Sequence, residues 1–412
     1  MEKKHLVLAG AGYANLHILK DLSQHSWPNL EVTLIAPNTE QIHSCSISNC
    51  LSGYENKDKV SLNISGIAKA AKAEFVRNKV IGVNPVCREI TIETGKKISY
   101  DVLSLAVGAK MDSEYLQSEG YKVINAKPFD NFVIKFNEML NSFSRHSKAR
   151  IAVLGGGAAG LELALITHFR LSRLVDTRNI KITLITGEGF IPNWANDTRL
   201  LAKQILYDRR INLAEGKAYA GKNGLILANG DLLPVDFVLV ATNVKPLDWF
   251  ADCNLSLCKD GFFAVKDTYQ TLTNRSIFAS GDCCTRIDVP QPRSAISAIY
   301  AGSYLSQNVH RRLQEKPLIS NALPKWVIDF VATGYKEALM NWGAFTACGY
   351  WVWRWKSWRD KRFLQSYTKI VQKNIEKESE SEAENSENST NSTNSTNSTN
   401  STNSKSDEKI EK

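Results

Sequence analysis

Apolar and polar positions along the chain alternate between short apolar runs and helical spacings. Leu6–Ala9 is an apolar run that stops at Gly10-Ala-Gly12. Apolar residues then recur at Leu16, Leu19 and Leu22, the spacing of one helical face. A second run follows in "LEVTLIAPN". The succession returns further on: Ile151–Leu154, then Gly155-Gly-Gly157-Ala-Ala-Gly160, a helix, and the run in "IKITLITGEG". Residues 100–110 ("YDVLSLAVGAK") and 235–246 ("VDFVLVATNVKP") each read as a strand ending in a small-residue turn. Ser276–Phe278 reads as a strand, Ser294–Val309 as a helix, and "ASGDCC" lies between them. Asn229-Gly230 marks a hairpin turn. Trp326, Ile328 and Phe330 alternate, Thr333-Gly334 can turn, and Ala338–Trp342 can return, which predicts a second hairpin. A helix over 346–372 is predicted to end the fold.

The two glycine loops give this pattern its chemistry. A strand, a glycine loop and a helix in that order bring backbone N–H groups and the positive end of a helix to one point, where a pyrophosphate can sit. In the first loop Gly10 permits the tight turn and Gly12 lets the backbone approach the phosphates, with Ala14 and Asn15 completing the cofactor-binding segment. Asn15 stands where a third glycine is usual, and Ala36, Pro37 and Asn38 stand where an acid would bind a ribose hydroxyl. An ordinary strand-to-helix turn is the competing reading. The second loop has all three glycines, Gly155, Gly157 and Gly160, although its strand also ends without an acid, at Thr186. Two such loops predict two dinucleotides, and a flavin with a nicotinamide is the pair between which hydride passes.

Composition narrows the class. The chain has 412 residues, 43% of them hydrophobic, and no apolar run reaches the roughly 18–20 residues of a spanning helix. "MEKKHLVLAGAG" begins like a signal peptide, but its run is short and ends in the loop glycines. A cytoplasmic protein is expected, its eight cysteines reduced. The net charge of +9 is uneven: Glu376–Lys412 holds nine acids and four bases, so the tail carries −5 and the body +14. The polar repeat "NSTNSTNSTNST" cannot form a core, and 374–412 is expected to be a disordered extension. No nucleic-acid partner is expected.

The segments "GAGYANLHIL", "VTLIAPN", "DVLSLAVGA", "LGGGAAGLELAL", "VKDTYQTLTNRSIFASGD", "PRSAISAIYAG" and "GYWVWRWKSWRDKRF", in this order, resemble the two-dinucleotide-binding flavoproteins of the pyridine nucleotide-disulfide oxidoreductase superfamily. Within it the chain is most similar to type II NADH dehydrogenase-like proteins, especially the branch sometimes fused to selenide, water dikinase. The resemblance covers residues 5–367. It implies an α/β fold of two Rossmann-like domains: an FAD domain at 1–112 and 262–325, an inserted NAD(P)H domain at 113–261, and a C-terminal hairpin and aromatic, basic helix at 326–373. It further implies that Gly281 and Asp282 contact the ribityl–pyrophosphate region of FAD, that Lys110 approaches the cofactor, and that Glu162 acts where flavin and nicotinamide meet. A cap on the following turn, an exposed lysine, and a first-turn glutamate favoured by the helix dipole are the plainer readings of Asp282, Lys110 and Glu162. No metal site is read, because "GDCC" has no histidine or second cysteine pair at ligand spacing.

The expected activity is hydride transfer from NAD(P)H to FAD, then electron delivery to a small-molecule acceptor such as a quinone. The helix after Gly-Asp lacks the glutamine of the quinone motif at its start. Cys45-x4-Cys50 has the spacing of a disulfide reductase pair, and a non-catalytic flavin sensor is a third reading. Six of the nine tryptophans lie between Trp326 and Trp358, and Trp351, Trp355 and Trp358 share a helical face. Seven Lys/Arg stand against Asp360 between Tyr350 and Lys373. Aromatics among bases suit a lipid headgroup layer, so 346–372 is expected to touch the inner face of the membrane. Packing over the flavin domain and a dimer face are the competing readings.

Overall fold

The computed structural model describes residues 3–397 apart from 243, 291, 292, 323 and 325, and for 383–397 the backbone alone. Two five-stranded parallel sheets form its centre. The first runs Ile277–Ala279, Val102–Leu105, Lys4–Ala9, Leu30–Ala36, Glu74–Arg77; the second runs Lys122–Asn125, Phe237–Val240, Ala149–Leu154, Ile180–Ile185, Ile211–Ala214. Each glycine-loop strand is the middle strand of its sheet, buried on both faces, which is why these strands read as unbroken apolar runs. Each sheet also carries a three-stranded antiparallel appendage: Val80–Asn84, Glu89–Ile92 and Lys97–Ser99 in the first lobe, Tyr219–Gly221, Gly224–Ile226 and Leu232–Pro234 in the second. The turn at Asn229-Gly230 joins the last two of these strands, with Gly230 at φ 87°. The fold class is the expected one, an α/β pair of Rossmann-like units.

Two connections join the lobes side by side: Lys110–Met111 pairs antiparallel with Val244–Lys245. The chain returns to the first lobe before residue 262, because Phe250, Cys253 and Leu255 pack in the same core as Leu6 and Leu8. The helices Tyr13–Gln24 and Ala295–Leu313 cross closely on the first sheet. A Cβ at Gly302 would meet His17 Cβ at 2.8 Å, so only glycine permits that crossing.

The C-terminal part departs from expectation twice. The hairpin Ile328–Ala332 with Ala338–Trp342 forms as predicted, but Phe345–Gly349 adds a third strand where a helix was expected from 346. Gly343 at φ 59° turns the chain back, and Gly349 at φ 130° holds a backbone conformation that a helix excludes, so the helix starts at Tyr350. It then runs Tyr350–Asn397, past the expected onset of disorder at 374. Glu and Lys, which keep helical backbone without burial, dominate its next stretch, and Glu378 reaches Lys69 at 2.7 Å. Residues 398–412 of the expected extension lie outside the described residues.

The two glycine loops close in different ways. In the second, Gly160 packs so tightly that a Cβ would stand 1.9 Å from the Gly155 carbonyl oxygen. In the first, Asn15 takes that place fully buried. Its Nδ2 donates to the carbonyls of Ala9 (3.2 Å), Gly10 (2.8 Å) and Ser104 (3.2 Å), and its Oδ1 accepts from Ser104 Oγ at 2.6 Å. A hydrogen-bonded amide therefore replaces bare backbone contact and ties loop, first strand and neighbouring strand together. Asn15→Ala strands the buried Ser104 hydroxyl, and chemical denaturation should show a loss of about 1–3 kcal/mol. Asn15→Gly, although it completes the glycine pattern, should show no smaller loss.

Candidate functional site

At the first loop, Gly10 and Gly12 lie directly beneath the chain at Ala106. A Cβ on Gly10 would meet the Ala106 carbonyl oxygen at 2.4 Å, and one on Gly12 would meet that residue's Cβ at 2.8 Å. Gly12 heads the helix Tyr13–Gln24 with no side-chain cap, so its first-turn N–H groups are left for a ligand. Ala14 and Gly281 both lie against the helix Ala295–Leu313. The Ala14 Cα is 3.5 Å from a Cβ built on Gly302, and Ala298 Cβ is 3.7 Å from one built on Gly281, one turn away. Gly10, Gly12, Ala14 and Gly281 are thus gathered on one side of the first sheet. Asn15 lies beneath the loop with its amide spent inside the protein, so it shapes the loop instead of facing a ligand. Asp282 follows on the short turn Gly281–Cys283 and forms an ion pair with Lys127, just past the strand Lys122–Asn125. Lys110 lies on the connection between the lobes, where its Nζ bonds Asp248 Oδ1 at 2.5 Å.

At the second loop three of four glycines are required by packing. Cβ atoms on Gly155, Gly156 and Gly160 would meet carbonyl oxygens of Ala241 (2.4 Å), Gly189 (2.0 Å) and Gly155 (1.9 Å). Gly157 is different: nothing lies within 4 Å of the place a Cβ would take. It heads the uncapped helix Ala158–Leu171. Open space in front of free N–H groups is what a dinucleotide pyrophosphate needs, so these residues fit the group.

Glu162 lies one turn into that helix and faces the junction of the lobes with the C-terminal part. Its Oε1 accepts from the Ala332 N–H at 2.7 Å, and burial raises its carboxyl while Lys356 pulls it back down. Lys356, from the C-terminal helix, is buried. It donates to the Cys45 carbonyl (2.5 Å), Ser48 Oγ (3.0 Å) and Asp360 Oδ2 (2.8 Å). Burial alone would lower its ammonium; Asp360 and Glu162 outweigh that and raise it, so it is charged. His43 lies alongside, its Nδ1 2.9 Å from Tyr13 Oη and its ring stacked on Phe363 at 4.5 Å. Sequence reasoning reached Glu162 but missed Lys127, Lys356, Asp360 and His43. No motif marks them, since their partners lie from 4 to 320 positions away.

The cysteine pair does not have the character of reactive thiols. All eight cysteines are free. Burial and then Asp360 push the Cys45 thiol up to about 11, and burial raises Cys50. A nucleophilic thiol needs the opposite shift.

Residues 4–302 match the family described as pyridine nucleotide-disulphide oxidoreductase. An NADH oxidase of Streptococcus pneumoniae is 28% identical over 256 residues, 57% of this chain and 52% of that protein. A type II NADH:quinone oxidoreductase of Haemophilus influenzae is 22% identical over 365 residues, 77% of this chain and 82% of that protein. The chain spans about half the length of that NADH oxidase and of a sulfide-quinone reductase from Aquifex aeolicus. Among solved structures, the sulfide:quinone oxidoreductase of Aquifex aeolicus superposes with a TM-score of 0.75 at 17% identity, covering 89% of this chain and 92% of that one. NDH2 from Plasmodium falciparum in complex with NADH does so with 0.75 at 14% identity, covering 90% and 98%. These last two likenesses show the fold.

His43 makes the site acid-sensitive. Burial, then Lys356 and Arg359, lower its imidazole from 6.5 to about 3, so it stays neutral in the folded chain but gains a proton when unfolded. Its contribution to stability is complete above about pH 6.5 and is lost as pH falls toward about 3, at roughly 1.4 kcal/mol per pH unit. Denaturation midpoints measured across that window should fall with acid, and His43→Gln should flatten part of the slope. An unchanged slope in the variant would assign the acid response to other groups.

Proposed function

Because the chain belongs to the pyridine nucleotide-disulphide oxidoreductase family, whose cofactors are FAD and NAD(P)H, we propose that it is an FAD-dependent NAD(P)H oxidoreductase. FAD occupies the Gly10–Gly12 side of the first lobe, near Gly281 and Asp282, and NAD(P)H docks on the second loop. When bound, FAD supplies the chemistry of accepting a hydride and passing two electrons on. The residues of the chain orient and exclude water: Gly157 admits the pyrophosphate, the Lys127–Asp282 pair holds the far wall, and Glu162 with Lys356 forms a charged, water-poor corner between the lobes. The observation that carries this reading is Gly157, the one glycine of its loop with open space where a side chain would be.

The second substrate is a quinone-class acceptor met at a membrane surface. Two supports meet here: the quinone named for several relatives and the surface of the C-terminal part. Trp326, Trp342, Phe345, Tyr350, Trp351 and Trp358 are all exposed. Trp355 is not part of that face, because it packs edge-on against Phe330 at 5.6 Å. Lys356 is likewise withdrawn from the expected basic face into the core. Arg362 remains beside Trp358, 5.4 Å from its ring. No helix of the described residues is long and apolar enough to cross a membrane, so the contact is peripheral. The overall reaction is NAD(P)H plus a proton plus quinone, giving NAD(P)+ and quinol.

Anaerobic NADH or NADPH should bleach the flavin absorbance of the purified protein. Gly157→Val should retain flavin yet lose bleaching by about 100-fold or more in rate, since a side chain would occupy the phosphate space. Bleaching at the original rate in this variant removes the assignment of the second loop; no bleaching of the unaltered protein by either nucleotide removes the oxidoreductase reading. Gly12→Val is the poorer test, because its side chain meets Ala106 before any ligand.

Co-sedimentation with anionic vesicles should occur at low salt and weaken as salt rises, each base near the surface adding about 1 kcal/mol. Trp351→Ser combined with Trp358→Ser should leave the protein in the supernatant. Equal sedimentation of that variant places the membrane contact elsewhere on the molecule.

A further inference from the structure

We propose that His43, Cys45 and Asp360 form a binding site for a borderline divalent metal ion of the zinc class. A ring nitrogen of His43, the Cys45 thiol and a carboxylate oxygen of Asp360 all lie within 4.8 Å of one another. Tetrahedral zinc, with bonds of about 2.0–2.3 Å, needs ligands about 3.3–3.8 Å apart, so side-chain rotations of about 1 Å close the site. One nitrogen, one sulfur and one oxygen ligand suit zinc and its neighbours and exclude magnesium and calcium, which take oxygen alone. A fourth position stays open for water or another small ligand.

The placement is more than the company a buried lysine requires. Lys356 uses the Cys45 carbonyl, Ser48 and Asp360 Oδ2; it uses neither the Cys45 thiol nor the His43 ring. Those two groups are nonetheless brought to Asp360 from the short turn at 43–46, with Asp360 supplied from the C-terminal helix. The His43 ring is already fixed, by Tyr13 Oη on Nδ1 at 2.9 Å and by Phe363 on its face. A hydrogen-bonded, stacked imidazole is the arrangement that outer partners impose on a ligating histidine. The hydrogen bond from Lys356 goes to Asp360 Oδ2, and Arg359 Nε lies 3.9 Å from Oδ1.

On binding, the Cys45 S–H bond breaks, its proton goes to solvent, and a metal–sulfur bond forms. Because Asp360 already pairs with Lys356, a dication entering and one proton leaving add one positive charge, and Glu162, which shares this corner with Lys356, is the carboxyl placed to offset it. Occupancy joins the C-terminal helix to the turn at 43–46 beside Lys356, a tie independent of whether the flavin reading holds.

The test uses the full chain with whatever flavin it carries, stripped of metal by a chelator. Cobalt(II) added to the unaltered protein should give intense ligand-field bands in the red, beyond flavin absorption, as a tetrahedral thiolate site does. Zinc should displace it and magnesium should not. Stoichiometric zinc should survive desalting, and Cys45→Ser and His43→Gln should each weaken zinc binding by about tenfold or more. The flavin spectrum, read on the same samples, reports whether each variant is folded. Should one variant fail to fold, the cobalt spectrum of the unaltered chain still decides. Weak, octahedral cobalt bands, or zinc retained equally by Cys45→Ser, would overturn the proposal.

Discussion

The position of the C-terminal helix depends on one buried charge. An ammonium removed from water costs several kcal/mol unless it is fully compensated, so Lys356 can be buried only where acceptors converge on it. They come from three parts of the molecule: the Cys45 carbonyl and Ser48 of the turn and short helix at 44–51, whose Ile47 and Leu51 pack in the core of the second lobe, Glu162 nearby on that lobe, and Asp360 one turn along its own helix. The compensation is geometric as well as electrostatic. A rotation or slide of the helix would withdraw the ammonium from Cys45 and Ser48 while leaving Asp360 beside it, and the second lobe would lose the cation that offsets the buried Glu162. The same charge therefore sets the register of the helix, the approach of the two lobes at this corner, and the ionisation of the carboxyl that faces it.

Much of the frame around that charge was legible in the sequence, and the reason is local. A parallel strand buried on both faces must be apolar throughout, a chain passing under a carbonyl must be glycine, and both requirements are met within a few consecutive residues. The two lobes, the glycine loops, the hairpin at Thr333-Gly334 and the helix after Gly-Asp could all be read this way. Asn15 looked like a defect in the first loop because the pattern records bare backbone contact and is blind to an amide that serves the same purpose by hydrogen bonding.

What escaped the sequence is what distance hides. Lys356 and Asp360 read as part of a basic, exposed face, since the spacing of charges along a helix says nothing of a pocket built by residues 45–48 and 162. Lys127 gave no sign that it would meet Asp282, 155 positions on. The third strand, Phe345–Gly349, was hidden for a different reason: Gly343 and Gly349 both take positive φ, and a sequence shows where glycine stands but not which conformation it adopts. The continuation of the helix past 374 shows the converse limit, because polarity rules out a core but does not rule out a helix.

The helix that carries Lys356 also carries the exposed aromatics Tyr350, Trp351 and Trp358, and the two features are separated by its period. Val352, Lys356 and Asp360 repeat every four residues and are buried; Trp351 and Trp358, seven apart, are exposed. Residues at multiples of about 3.6 share a face, so the buried set follows one stripe and the exposed pair another. Between them Trp355 packs on Phe330, and Arg359 lies over the same ring at 4.5 Å, which makes the strand Ile328–Ala332 the wall dividing the two stripes. That strand also delivers the Ala332 N–H to Glu162. The exposed stripe and Glu162 are thus linked by two sets of contacts, one through Lys356 on the helix and one through Ala332 on the strand.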